Sequence, residues 1–238
     1  MSKRERIELI NRIKSLSSLP KEEAKQEARK LMDIGNAGGL SRYEGGLDFT
    51  YYDFGEKRDE RGPVTWAKLD PHTNKLFEAL AGDEDFLTNH VVSLGSGPRP
   101  LFENVLSSLC GCLQMTCLDI AFEGEDDTKD CYNSNQVAYD WSKQELDEKL
   151  SELKINHKEA TLVLVWPPAD FHDGGPWSTI PESLFQTIQE FARIAIVVDR
   201  YESCGTKELW DAVEKDGKEP VVLISGMCTS YQCVEYRK

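Results

Sequence analysis

From His90 onward the chain alternates short apolar runs with segments of helical period, and this alternation limits the fold more than any other feature. The apolar runs fall at His90–Leu94, Leu113–Ile120, Gln136–Tyr139, Ala160–Val165 and Ile194–Val198. Helical spacing marks Leu101–Leu109, Ser142–Leu153 (Leu146, Leu150 and Leu153 inward), Glu182–Arg193 and Lys207–Lys215. A helical crossover returns the chain to start its next strand in the same direction, so such strands pair parallel and their helices cover both faces. Pro220–Ile224 and Tyr231–Tyr236 leave no room between them for a crossover helix, so these two strands pair antiparallel. The expected class is α/β, a doubly wound and mostly parallel sheet that ends in an antiparallel strand pair.

The N-terminal part reads differently. Ile7, Leu9, Ile10, Ile13 and Leu16 recur at helical spacing over residues 4–16. Ser17-Ser18-Leu19-Pro20 is a stop and restart, and Lys21–Ile34 forms a second helix with Ala24, Ala28, Leu31 and Met32 on its apolar side. Gly35-Asn36-Ala37-Gly38-Gly39 ends it. Residues 40–70 are irregular, broken by glycines and rich in rings: Tyr43, Phe49, Tyr51, Tyr52, Phe54 and Trp66. The stretch 40–66 is either a lid over a binding site or packing material between arm and body. A helix across Asn74–Ala81 follows. The organisation expected is a helical arm and aromatic loop over 1–84 and an α/β domain over 85–238.

Composition narrows the chemistry. With 238 residues, 39% hydrophobic and 29% charged, the chain can bury an ordinary core. No apolar run approaches the roughly 18 residues of a membrane span, and the polar start Met1-Ser-Lys-Arg-Glu-Arg is no signal-peptide core. Seven scattered cysteines without a C-x-x-C, and only four histidines, argue against a zinc site and for a reducing, cytoplasmic compartment. Residues 1–30 carry nine Lys and Arg against five Glu; of the formal charge of −14, the remainder of the chain therefore holds −18. Such a body repels a phosphate backbone and suits a cationic ligand, so nucleic acid is not the expected partner.

The stretch Val91-Val-Ser-Leu-Gly-Ser-Gly97 carries the strongest chemical signal. A strand runs into a glycine turn, and a helix starts soon after. Gly95 and Gly97 lack a Cβ, so backbone can pass close to a ligand and adopt positive φ. The helix start offers free N–H groups. Glycine turns after strands are common, and the order of later features is what gives this one meaning.

That order resembles the class I S-adenosylmethionine-dependent methyltransferases, over roughly residues 85–238. The turn Ser93-Leu-Gly-Ser-Gly97 looks like the first motif of that family, which implies a Rossmann-like fold and a cofactor site at Ser93, Gly95, Ser96 and Gly97. Asp119, ending the second strand, stands where the family holds the cofactor ribose. Asp140, taken to end the third, stands where it contacts the adenine amino group. Trp166-Pro167-Pro168 is similar to the fourth motif, beside the transferred methyl. Physics agrees in part: one carboxylate can accept from two ribose hydroxyls, and a sulfonium cofactor favours nearby acids.

The sequence also departs from the pattern. Ser93 stands where the family usually has an acid, Arg99 replaces the third glycine, and Trp166 precedes the proline pair where amine-methylating enzymes carry Asp or Asn. Trp166 offers an indole N–H but no carbonyl, so a nucleobase amine is a poor acceptor for this site; a planar or cationic group suits it better. A nicotinamide oxidoreductase would need glycine at Pro100. A methyltransferase-fold binding or scaffold protein without chemistry is the other alternative. The reading adopted is methyl transfer from S-adenosylmethionine to a small or medium-sized acceptor, a small molecule or peptide. Trp166, Pro167 and Pro168 wall the acceptor site. His172 is the candidate base for a hydroxyl acceptor, or else an ordinary loop histidine.

Overall fold

The computed structural model describes residues 3–37, 47–48, 68–69, 71–82, 90–96, 101–111, 115–119, 134–138, 143–165, 180, 182–198, 207–215, 219–225 and 232–237. Two helices open the chain, α1 (Lys3–Ser15) and α2 (Lys21–Ala37). A two-residue ladder pairs β1 (Leu47–Asp48) with β2 (Lys68–Leu69), and α3 (Pro71–Gly82) follows. The α/β part contains β3 (Val91–Leu94), α4 (Leu101–Leu109), β4 (Met115–Asp119), β5 (Ser134–Ala138), α5 (Lys143–Glu152) and β6 (Thr161–Val165). It continues through α6 (Phe185–Glu190), β7 (Arg193–Val198), α7 (Lys207–Lys215), β8 (Glu219–Ser225) and β9 (Gln232–Arg237).

Seven strands form one sheet in the order β5-β4-β3-β6-β7-β9-β8. The pairings β5–β4, β4–β3, β3–β6 and β6–β7 are parallel. β9 inserts between β7 and β8, antiparallel to both, so β8 forms the edge and runs in the direction of the parallel strands. The central strands are covered on both faces. Every residue of β3 is buried, as are Thr161 to Leu164 of β6, which is why these strands read as continuous apolar runs rather than alternating ones.

α4 is buried along its whole length, from Leu101 to Leu109. A helix buried on every side needs cover beyond the sheet, and the N-terminal helices supply it. Leu9, Ile13 and Leu16 from the start of the chain, and Ala28, Leu31 and Met32 from α2, share one continuous core with Phe102, Val105 and Leu106. Ala24 is buried as well, completing the stripe expected on α2. From α3, Phe77 meets Phe102 with ring centroids 4.7 Å apart. Two buried asparagines tie these layers together: Asn104 on α4 donates to the Ile13 carbonyl, and Asn74 on α3 donates to the Met32 carbonyl at 2.7 Å. Between α1 and α2, Arg12 donates to Glu27 at 2.7 Å, a half-exposed pair that adds little to stability. No described helix is long and apolar enough to cross a membrane.

Several boundaries differ from the sequence pattern. α2 runs through Gly35 and Asn36 to Ala37, since one glycine in a helix costs only about 1 kcal/mol. The run Glu182–Arg193 splits into a 3-10 turn at Glu182–Leu184, the short α6 and the start of β7. Phe191 is extended there (φ −62°, ψ 139°), which ends the helix and lets Arg193 join the sheet. β5 starts two residues before the expected Gln136, and its last described rung with β4 is Asp119–Ala138. Asp140, expected to end the third strand, lies outside the described residues.

Candidate functional site

The parallel strands place a site before any side chain is considered. From β3 the chain builds outward to β4 and β5 on one side, then returns to β6 and β7 on the other. The connections leave β3 and β6 in opposite directions, which opens a crevice outside their carboxyl ends.

Gly95 lies at the carboxyl end of β3. Its φ is +76°, in the left-handed region that glycine alone enters without strain. Its N–H donates to the Leu118 carbonyl of β4 at 2.9 Å, so the turn is anchored to the neighbouring strand as it leaves the sheet. Leu94 pairs with Leu118. Asp119, the last residue of β4, thus sits one step further along, level with the glycine turn. The turn and the aspartate come to adjacent strand ends although 24 residues separate Gly95 from Asp119.

Against β3 lies a buried carboxylate that the sequence pattern did not single out. Ser93 is fully buried, and its Oγ donates to Oε1 of Glu103 at 2.7 Å. Glu103 belongs to the first turn of α4 and is 1% exposed. Ser93 therefore faces α4, where Glu103 receives its hydroxyl hydrogen bond. Ser96 is also buried. The signal for Glu103 was present as one acid in a helix otherwise made of apolar and small polar residues, Leu101-Phe-Glu-Asn-Val-Leu-Ser-Ser-Leu109. Reading it required knowing that all of α4 is buried.

Gly97, Arg99, Asp140, Trp166, Pro167, Pro168 and His172 lie outside the described residues, as does the aromatic stretch apart from Leu47 and Asp48. Trp166 follows β6 directly in the chain, and β6 is the strand beside β3. Other titratable groups sit elsewhere. His90 precedes β3, at the opposite end from the turn, with Nε2 2.9 Å from the Thr116 hydroxyl; burial holds its pKa below the ordinary 6.5. Burial pushes the Cys110 thiol up to about 12, against a smaller opposing pull from Lys25. His157, in the connection from α5 to β6, pairs with Glu190 at the end of α6 at 2.8 Å. Among the described residues, no three His, Cys, Asp or Glu come together as metal ligands would.

No known family profile matches the sequence, and no curated protein matches it. Solved structures do. Human N-acetylserotonin methyltransferase in complex with SAM aligns at 10% identity and a TM-score of 0.43, over 71% of this chain and 52% of that one. The fibrillarin/Nop5p complex aligns at 13% identity and 0.41, over 77% and 91%. The E. cuniculi Mtq2–Trm112 complex, which methylates the eRF1 translation termination factor, aligns at 15% identity and 0.40, over 79% and 98%. The chain spans about half the length of the N-acetylserotonin enzyme and of two further matched methyltransferases, 49–55%.

Likenesses of this size leave the fold to the chain's own topology, which has the strand order around β3 and β6 and the left-handed glycine turn at the reversal. That topology is a doubly wound, Rossmann-like sheet closed by an antiparallel strand beside β7. In a doubly wound sheet the crevice outside the carboxyl ends of such strands is where a ligand belongs, and Gly95 and Asp119 stand at neighbouring strand ends there.

Proposed function

We propose that the protein is an S-adenosylmethionine-dependent methyltransferase acting on a small or medium-sized acceptor, a small molecule or peptide. The observation that supports this best is the left-handed Gly95 turn level with Asp119 at the strand reversal. The residues suit the cofactor: a turn without a Cβ lets a ligand approach the backbone, and a carboxylate ends the next strand. Bound there, S-adenosylmethionine supplies an electrophilic methyl group on a sulfonium.

In this reading Gly95, Ser96 and Gly97 cradle the cofactor. Asp119 accepts from its ribose hydroxyls, and Asp140 accepts from its adenine amino group. Trp166, Pro167 and Pro168 wall the acceptor and keep water out, and His172 takes the proton of a hydroxyl acceptor. The chain has little covalent work to do beyond alignment. A second reading, a binding protein that kept this fold without chemistry, is favoured by the altered positions Ser93, Arg99 and Trp166.

Calorimetry with S-adenosylmethionine, its demethylated product and NAD tests the first point. The first two should bind and NAD should not. Asp119→Ala should weaken binding by about 1–3 kcal/mol, the range for hydrogen bonds to a charged group. Tight NAD binding, or an Asp119→Ala protein of unchanged affinity, refutes the assignment. Cofactor binding with no methyl transfer to any small molecule or peptide offered would favour the scaffold.

A further inference from the structure

We infer that Asn104 is a positioning residue of the cofactor site, and that docking of α1 on α4 is coupled through it to cofactor binding. This deepens the methyltransferase reading and rests on it. The inference starts from two consecutive residues that tie the start of α4 in different directions. Neighbouring positions on a helix lie about 100° apart around its axis. Glu103 reaches inward and accepts from the Ser93 hydroxyl at 2.7 Å. Ser93 stands two residues before Gly95, on the strand that leads into the turn. Asn104 reaches outward and donates to the Ile13 carbonyl of α1. Asn104 and Ile13 are both fully buried. One short piece of helix therefore links the N-terminal arm to the strand that carries the glycine turn.

Ile13 lies in the last turn of α1, whose carbonyls need partners from outside the helix. α2 has a hold of its own, since Asn74 on α3 donates to the Met32 carbonyl at 2.7 Å. α1 is the first helix of the chain. It packs on α4 and α2, and Glu8 and Asn11 are exposed on it. An end element covered on one side opens before a central sheet does. When α1 lifts, the start of α4 loses the contact that holds it from outside, and β3 loses a fixed backing where it enters the turn. The open form then binds the cofactor more weakly than the docked form. Linkage makes the effect reciprocal, so a bound cofactor holds α1 down.

The test separates positioning from stability. Asn104→Ala removes the donor and leaves Ser93, Glu103 and Gly95 as they are. Apparent affinity falls with the fraction of molecules whose site is competent. The Kd for S-adenosylmethionine, measured by calorimetry, should therefore rise at least about threefold, half a decade. Leu150→Ala is the control. It opens a core cavity on α5, so it destabilises the fold, but its Kd should stay at the parent value. Parent-like binding by Asn104→Ala, or an equal loss in Leu150→Ala, overturns the inference. Hydrogen exchange on the parent protein is the second measurement, and it decides alone if either variant does not fold. Amides of α1 that exchange faster than those of β3 report opening of the arm rather than global unfolding. Saturating S-adenosylmethionine should slow them at least about threefold. Unchanged rates there, or an α1 that exchanges no faster than β3, overturn the inference. Failure of the parent protein to bind S-adenosylmethionine refutes the methyltransferase reading, and this inference with it, so the two failures are distinguishable.

Discussion

Lys154 is the one non-glycine residue with positive φ among the described residues, at +56°, and replacing it with glycine should stabilise the protein. It follows α5 in a complete Schellman motif. The Ile155 N–H donates to the Leu150 carbonyl at 2.8 Å, and the Lys154 N–H donates to the Ser151 carbonyl at 3.0 Å. Ile155 is buried and holds the turn in place, so Lys154 cannot relax to negative φ without breaking both bonds. The left-handed region costs an L-residue about 1–2 kcal/mol. Glycine removes that cost but gives back about 0.4–1 kcal/mol through the freedom it adds to the unfolded chain. Losing the lysine charge at a helix C-terminus takes a further few tenths, near the low end of about 0.3–1 kcal/mol because the residue is exposed. The net gain for Lys154→Gly should be about 0.5 kcal/mol, or one to two degrees in Tm for a chain of this size. Lys154→Ala is the control. It loses the same charge, keeps the strained φ and should gain nothing. Urea unfolding of both variants yields the difference, in which the charge cancels. A Lys154→Gly protein no more stable than Lys154→Ala would refute the argument that this turn stores strain.

Two further outcomes follow from buried polar groups. Asn104→Ala strands the Ile13 carbonyl inside the core, and the urea midpoint should fall by an amount equivalent to about 1–3 kcal/mol; an unchanged midpoint would mean that α1 is not held by α4. His90 is kept neutral by burial, so the unfolded chain takes up a proton near pH 6.5 that the folded chain refuses. The stability tied to His90 is therefore complete above pH 6.5 and declines as the pH falls below it, until the folded group titrates too. His90→Gln should flatten this part of the Tm profile between pH 7.5 and 5, and parallel profiles for the two proteins would refute it.

Local pattern carried much of this molecule. The apolar runs near Val91, Thr161 and Ile194 could only be strands buried on both faces, and helices between them made those strands parallel. The stripe Ala24, Ala28, Leu31 and Met32 named the buried side of α2, and all four are buried. The glycine at the end of β3 allowed a positive φ, and Gly95 has one. These features are set by residues within a few positions of one another, and a periodicity reports them directly.

Tertiary structure alone decided the rest. A period tells which face of a helix is buried, not what lies on its other faces. That α4 is enclosed by α1, α2 and α3 follows from contacts such as Asn104 to Ile13, across 91 positions of chain. The register of β5 against β4, with Ala138 opposite Asp119, likewise came from the pairing and not from the residues of β5. β9 lies between β7 and β8, an order that no local periodicity reports. The meeting of Ser93 and Glu103 belongs to the same class. A serine in a strand and a glutamate in the next helix look unrelated in sequence. Only the packing of α4 against β3 brings them within hydrogen-bond reach and out of water.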